Sequence, residues 1–261
     1  METAVEDRQS QPSAIYPSLR DRTVIITGGA QGIGRSMVQE FQAQGSRVVF
    51  LDRDVAGGQA ACAELNTGRL NDVEFIACDL MEIDRLTATV EEIGRRMGSV
   101  GVLINNAGEY PRHDWRTIDA DYWDQRMEVN VRHMFFAARS ASTFMRPGST
   151  IVNFSSTTAI RRTGGAIGYV TAKAAVIGLT HGLARELGEA GIRVNCVVPG
   201  MVQTVQNFRD WVTPEFRDTM LQRQCLKEIS QPRDIARVVM FLASAESAMM
   251  TGQSVIVDGG V

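Results

Sequence analysis

The sequence has little cysteine and little histidine. Its four cysteines (Cys62, Cys78, Cys196 and Cys225) stand far apart with no Cys-x-x-Cys pair, and its three histidines are scattered. Neither a zinc centre nor a disulfide framework can organise such a chain, so no metal is expected, and isolated thiols suit a cytoplasmic protein. Long hydrophobic runs are missing too. No 18 continuous residues are apolar, and the start carries Glu2, Glu6 and Asp7 instead of an apolar segment, so neither a membrane span nor an export signal is expected. Nor is there a surplus of one charge. The 27 basic and 30 acidic residues leave a net charge of −3 without single-sign blocks, which gives no footprint for nucleic acid or an anionic membrane. What is present is enough apolar residue, 44% of 261, to bury one full α/β core, and small-molecule chemistry is the class left standing.

Residues 1–13 are polar and aperiodic, which predicts a flexible tail, with 14–19 docking it onto a single domain over 14–261. A β-branched run at 23–27 stops at Gly28-Gly29 and leads into a helical pattern over 34–44. The alternation then repeats. Strands are predicted at 47–52, 73–78, 100–105, 150–154, 192–198 and 254–258, and helices at 55–66, 82–97, 121–144, 168–189 and 232–244. Strands separated by long helices imply a parallel sheet covered on both faces, and unbroken apolar strands such as Val102-Leu103-Ile104 fit burial on both sides. The predicted fold is therefore a single-domain α/β, Rossmann-like, doubly wound parallel sheet of about seven strands. Residues 201–228 fit no strand and read as a flap over a substrate.

Gly28, Gly32 and Gly34, with Gln31 and Ile33 between them, occupy a strand-to-helix turn. Glycines there let the backbone approach a pyrophosphate at a helix amino terminus, where unpaired N–H groups favour anions. Asp52 closes the next strand 18 positions after Gly34, where a carboxylate accepts hydrogen bonds from ribose hydroxyls and repels a 2′-phosphate. NAD is thus expected over NADP, although the adjacent Arg53 is a guanidinium able to receive that phosphate. Asp79 and Leu80, after the third strand, stand where an adenine edge would lie, and Asp79 could equally cap the next helix.

The chemistry gathers further along. Tyr169 and Lys173 are four apart on a predicted helix and share one face. A free tyrosine has a pKa of about 10, so a base working near neutrality needs roughly 4 kcal/mol of preferential phenolate stabilisation, part of which a lysine cation supplies. Asn105-Asn106-Ala107-Gly108 ends the fourth strand and Ser155-Ser156 the fifth. In a doubly wound sheet these ends converge on one crevice. Glu109, Tyr110, Arg112 and His113 follow on a loop facing it, polar enough for a polyol.

From residue 23 to 260 the order of these motifs resembles the short-chain dehydrogenase/reductase family. The matching elements are the glycine loop, Asp79-Leu80, Asn-Asn-Ala-Gly, Asn130, Ser156, Tyr169 with Lys173, Asn195 within Arg-Val-Asn-Cys-Val-Val-Pro-Gly, and Asp258-Gly259-Gly260. The resemblance implies that Tyr169 is the general base in oxidation and that Ser156, 13 positions earlier, steadies the substrate oxygen. Lys173 would lower the tyrosine pKa and hold the nicotinamide ribose, and Asn130 would hold a water joining Lys173 to solvent. It adds Asn106, Ala107, Gly108, Pro199, Gly200, Val202 and Thr204 to the cofactor contacts. It also implies a homo-oligomer, tetramer or dimer, whose interface takes in the two long helices that carry His133 and His181.

A narrower likeness, to sugar-oxidising members such as bacterial D-xylose 1-dehydrogenases, rests on residues 14–19, 122–134, 211–215 and 224–227. It implies oxidation of an aldose, a pentose or deoxyhexose, at C1 to the aldonolactone, with Ser156, Tyr169, Glu109, His113 and Trp211 at the substrate. The segment 159–165 departs from a xylose enzyme. Its Arg161 and Arg162 could grip a carboxylate with forked hydrogen bonds, the basis for an alternative sugar-acid or 2-keto-3-deoxy sugar-acid substrate. An NADPH-dependent carbonyl or 3-oxoacyl reductase, and a nucleotide sensor without turnover, are the remaining alternatives.

Overall fold

A computed structural model describes residues 13–68, 71–161, 163–205, 207 and 212–261. All but one residue of the predicted tail, and with them Arg162, Phe208 and Trp211, lie outside the described residues.

The chain runs β1 (Thr23–Thr27), α1 (Gly32–Ala43), β2 (Arg47–Asp52), α2 (Val55–Leu65), β3 (Glu74–Ala77), α3 (Ile83–Met97) and β4 (Val102–Asn105). Then come α4 (Ala120–Met127), a π-helical turn (Glu128–Arg132), α5 (His133–Ser142), β5 (Thr150–Phe154), α6 (Ile167–Leu187) and β6 (Arg193–Pro199). After these follow α7 (Pro214–Arg223), α8 (Pro232–Ala243) and β7 (Ser254–Val257). The strands form one seven-stranded sheet in the order β3-β2-β1-β4-β5-β6-β7, parallel throughout.

Because side chains alternate along a strand, each strand feeds two cores. Val24 and Ile26 of β1 pack with Phe41 of α1 and Val239 of α8 on one face. Ile25 packs with Leu86 and Val90 of α3 and Ala137 of α5 on the other. Residues 14–19 dock as predicted. The Tyr16 N–H donates to Gln44 Oε1 at 2.8 Å, and Leu19 is fully buried in the first core.

Two sequence expectations need correction. The single helix predicted over 121–144 is broken by the π turn, where the Asn130 carboxamide donates to Arg126 O at 3.1 Å. A side chain that captures a ladder carbonyl competes with the regular helix bond. Asp79 does not cap α3. It accepts the Met81 N–H at 3.0 Å in a local turn, and Glu82 occupies the cap position.

Candidate active site

Strand order reverses between β1 and β4, so the connections leaving their carboxyl ends run to opposite sides and leave a crevice there, the place where an open α/β sheet takes a ligand. A cavity of about 400 Å³ opens at this edge. One wall is the glycine loop. Gly28 has φ 70° and lies so close to Ala107 that an added Cβ would approach its Cα to 3.0 Å. A Cβ on Gly34 would stand 1.8 Å from Gly28 O, so only glycine lets α1 begin against the loop. The Asn106 carboxamide donates to Thr27 O and Gly28 O, both at 3.0 Å. Thr27 Oγ1 accepts the N–H groups of Asn106 at 3.0 Å and Ala107 at 3.2 Å. Asn106 thus welds the loop to β4 while it lines the crevice, and Thr27 is a fastening that sequence reading missed, because a threonine ending a strand carries no signal of its own.

At the far end Asp52 faces the crevice with its carboxylate fixed by two backbone amides, Oδ2 accepting from Ala30 and Oδ1 from Asp54, each at 3.0 Å. Arg53 Nη2 donates to Glu109 Oε1 at 2.6 Å, and Glu109 Oε2 accepts from Arg126 Nη1 at 3.0 Å. Gln31, Ile33, Asp79, Leu80, Pro199, Gly200, Val202 and Thr204 line the crevice as well. The crevice therefore fits an extended dinucleotide. It offers amide-rich loop backbone for the pyrophosphate, a held carboxylate for a ribose, and room beside Tyr169 for a nicotinamide.

At the near end Ser156, Tyr169 and Lys173 meet. Ser156 Oγ accepts the Thr158 N–H at 3.2 Å. Ser156 Oγ also accepts from Thr158 Oγ1 at 3.0 Å, whereas Ser155 Oγ donates to Lys173 O at 2.7 Å and is buried, which leaves Ser156 as the serine beside Tyr169. Lys173 Nζ donates to Phe154 O at 2.9 Å and lies 5.7 Å from the Tyr169 ring centre. Asn130 Oδ1 accepts the Glu109 N–H at 2.9 Å. A Cβ on Gly108 would come within 2.8 Å of Asn130 Oδ1 and 3.0 Å of Lys173 Nζ, so this glycine lets the asparagine and the lysine draw together. Tyr110 sets its ring edge-on to Tyr169 at 4.8 Å, a contact the sequence did not reveal.

The electrostatics of the protein alone are set by burial. Burial pushes the Tyr169 phenol up to about 12, partly offset by its hydrogen bond to Ser156, and burial brings Lys173 down to about 8. The protein alone thus favours a neutral phenol, because desolvation outweighs the Ser156 hydrogen bond while the Lys173 ammonium is turned to the Phe154 carbonyl.

Some predicted substrate residues stand elsewhere. Arg161 is paired with Asp258 and donates to Val261 O at 2.6 Å, outside the crevice lining. His113 stacks on Tyr122 at 4.4 Å and bonds Thr117 Oγ1. Glu109 does reach the crevice, with both oxygens engaged by arginines. His133 is no interface residue; it is fully buried within the protein.

Residues 28–261 match the family described as enoyl-(acyl carrier protein) reductase. A probable galactose dehydrogenase of Rhizobium meliloti is 40% identical over 96% of this chain and 98% of its own length. A D-xylose 1-dehydrogenase of Caulobacter vibrioides is 41% identical over 95% and 98%. A Brucella melitensis 3-oxoacyl-[acyl-carrier protein] reductase solved with NAD superposes with a TM-score of 0.86 at 32% identity, covering 95% of this chain and 93% of that one. A Burkholderia cenocepacia short-chain dehydrogenase solved with NADP also gives 0.86, at 29% identity over 93% and 98%. With the parallel sheet, the glycine loop and the serine, tyrosine and lysine at one crevice, these likenesses identify the chain as a member of the short-chain dehydrogenase/reductase family, an oxidoreductase that acts on CH–OH groups with a nicotinamide cofactor.

Proposed function

We propose that this chain oxidises an aldose, a pentose, deoxyhexose or hexose, at its anomeric hydroxyl to the aldonolactone, with NAD as acceptor. The observation that carries the reading is the joining, in one crevice, of Ser156, Tyr169 and Lys173 with a carboxylate at Asp52 held ready for an unphosphorylated ribose. Two relatives near 40% identity are named for sugars oxidised as aldoses. A nicotinamide held beside Tyr169 and Lys173 would supply the acceptor for the hydride of the alcohol carbon. Tyr169 takes the hydroxyl proton, and Ser156 donates a hydrogen bond to the oxygen as its charge develops. Lys173 and Asn130, brought together over Gly108, hold the ribose side and favour the phenolate. Tyr110 supplies a polar edge to a polyol, and the Arg112 guanidinium over the Phe216 ring at 6.0 Å ties that loop to α7 of the proposed flap. We place the enzyme in the cytoplasm, as a homo-oligomer.

Of the two arginines behind the sugar-acid alternative, Arg161 is engaged by Asp258, which favours the neutral aldose. The test is a panel of neutral pentoses, hexoses, deoxyhexoses and sugar acids with NAD, followed by reduced-nicotinamide absorbance and by hydroxamate trapping of lactone. Turnover of neutral aldoses with trapped lactone supports the proposal. Turnover confined to carboxylate-bearing sugars, or to acyl thioesters with NADPH, overturns it.

A further inference from the structure

Arg53 and Glu109 reach one another from strands that are not neighbours. Arg53 follows β2 and Glu109 follows β4, and β1 with its glycine loop lies between them. The pair therefore bridges the adenosine end of the crevice. It is braced from behind. Glu109 Oε2 is held by Arg126, which is only 5% exposed and has room for its stem because Gly168 carries no side chain; a Cβ there would meet Arg126 Cγ at 2.9 Å. The Glu109 backbone is pinned by Asn130. A carboxylate fixed by a buried guanidinium keeps a set position, and Arg53, with 62% of its side chain exposed, is the mobile partner drawn to it.

Of the cations lining the crevice, Lys173 stands at the tyrosine and Arg53 beside Asp52. A phosphate on the adenosine ribose would need forked hydrogen bonds from a guanidinium at that place. We infer that Glu109 is a determinant of cofactor specificity: by holding Arg53 across the crevice, it withholds from the ribose the guanidinium that would receive a 2′-phosphate. The chain then rejects NADP twice, by the repulsion of Asp52 and by an attraction kept occupied elsewhere. This rests on the dinucleotide reading above and deepens it.

The test is calorimetric titration of NAD and of NADP, each alone and without sugar, into the full-length protein. In Glu109→Gln the ratio of the NADP to the NAD dissociation constant should fall roughly tenfold, the worth of one charge-assisted contact. The same substitution in an Arg53→Ala background should leave the ratio where that background has it, since the gain passes through Arg53. Because Glu109→Gln leaves Arg126 buried beside a neutral partner, Glu109→Asp is made in parallel. Its shorter carboxylate should lower the ratio by a smaller factor while it keeps the charge. An unchanged ratio in both variants, an equal fall without Arg53, or a wild-type chain that binds NADP as tightly as NAD overturns the inference. Failure of the wild type to bind either dinucleotide would instead strike at the functional reading itself.

Discussion

Tyr169 alone does not account for base catalysis. Its hydroxyl, at about 12 in the protein by itself, must fall by several pKa values before it can take a proton near neutrality, and Lys173, itself lowered to about 8, supplies only part of that. The deprotonated form is the active one in oxidation. The kcat/KM for the sugar at saturating NAD should therefore rise with pH on the alkaline side, whereas the reverse reduction, which needs the protonated phenol, should fall there. Tyr169→Phe should lower oxidation by at least about a thousandfold with NAD binding retained. Stopped-flow rates across pH, beside titration of NAD, measure both, and a variant that keeps its rate removes Tyr169 from the reaction. His133 gives a second expectation. Burial, then the nearby Lys173 charge, lowers it to about 4, against a weaker opposing pull from the backbone carbonyls of Val129 and Ala107. Below pH 6.5 the unfolded chain takes up a proton that the folded one refuses. The stability present above 6.5 is thus lost as pH falls toward 4, by about 3 kcal/mol. Urea midpoints measured across that window should drop steeply in the wild type and less so in His133→Gln. Equal slopes would mean that His133 does not titrate differently in the two states.

At the scale of elements, Arg161 ties the loop after β5 to the last residues of the chain, through Asp258 and the Val261 carbonyl. Arg161→Ala should lower stability by about 1–2 kcal/mol and affect neutral and acidic sugars alike. A loss restricted to carboxylate-bearing substrates would return Arg161 to the substrate. The strands were legible within a residue or two, since a strand buried on both faces reads as a short, largely apolar run between turns, as 102–105 and 150–154 do. The π turn was not legible. Asn130 reads as a polar residue able to bend a helix, but nothing in the pattern says that it captures the Arg126 carbonyl and opens a π turn there. Positions reached by the backbone were readable from glycine and strand ends. Side-chain partners were not, because nothing in residue order says that Arg53 will find Glu109, or that Arg161 will turn to Asp258.

At the scale of the whole molecule, α6 poses a problem that one chain does not solve. Of its 21 residues only Gly168, Ala172, Lys173, Val176 and Thr180 are buried. Ala174, Ala175, Gly178 and Gly182 lie on an exposed face, and a Cβ built on Gly178 or Gly182 meets nothing within 4 Å. Phe135 of α5 is 41% exposed as well. Small side chains let a second helix approach closely, and burying the apolar surface so left open favours association. A homo-oligomer that pairs through α6 would cover this face and stiffen the helix carrying Tyr169 and Lys173, whose alignment with Ser156 the reaction needs. Gly178→Arg, which sets a long cation where two helices would meet, should shift sedimentation from a multimer toward the single chain and lower kcat more than it raises KM. A variant that sediments as the wild type does, or a wild type that is already monomeric, would leave α6 facing water and remove oligomerisation from the account of how the site is held rigid.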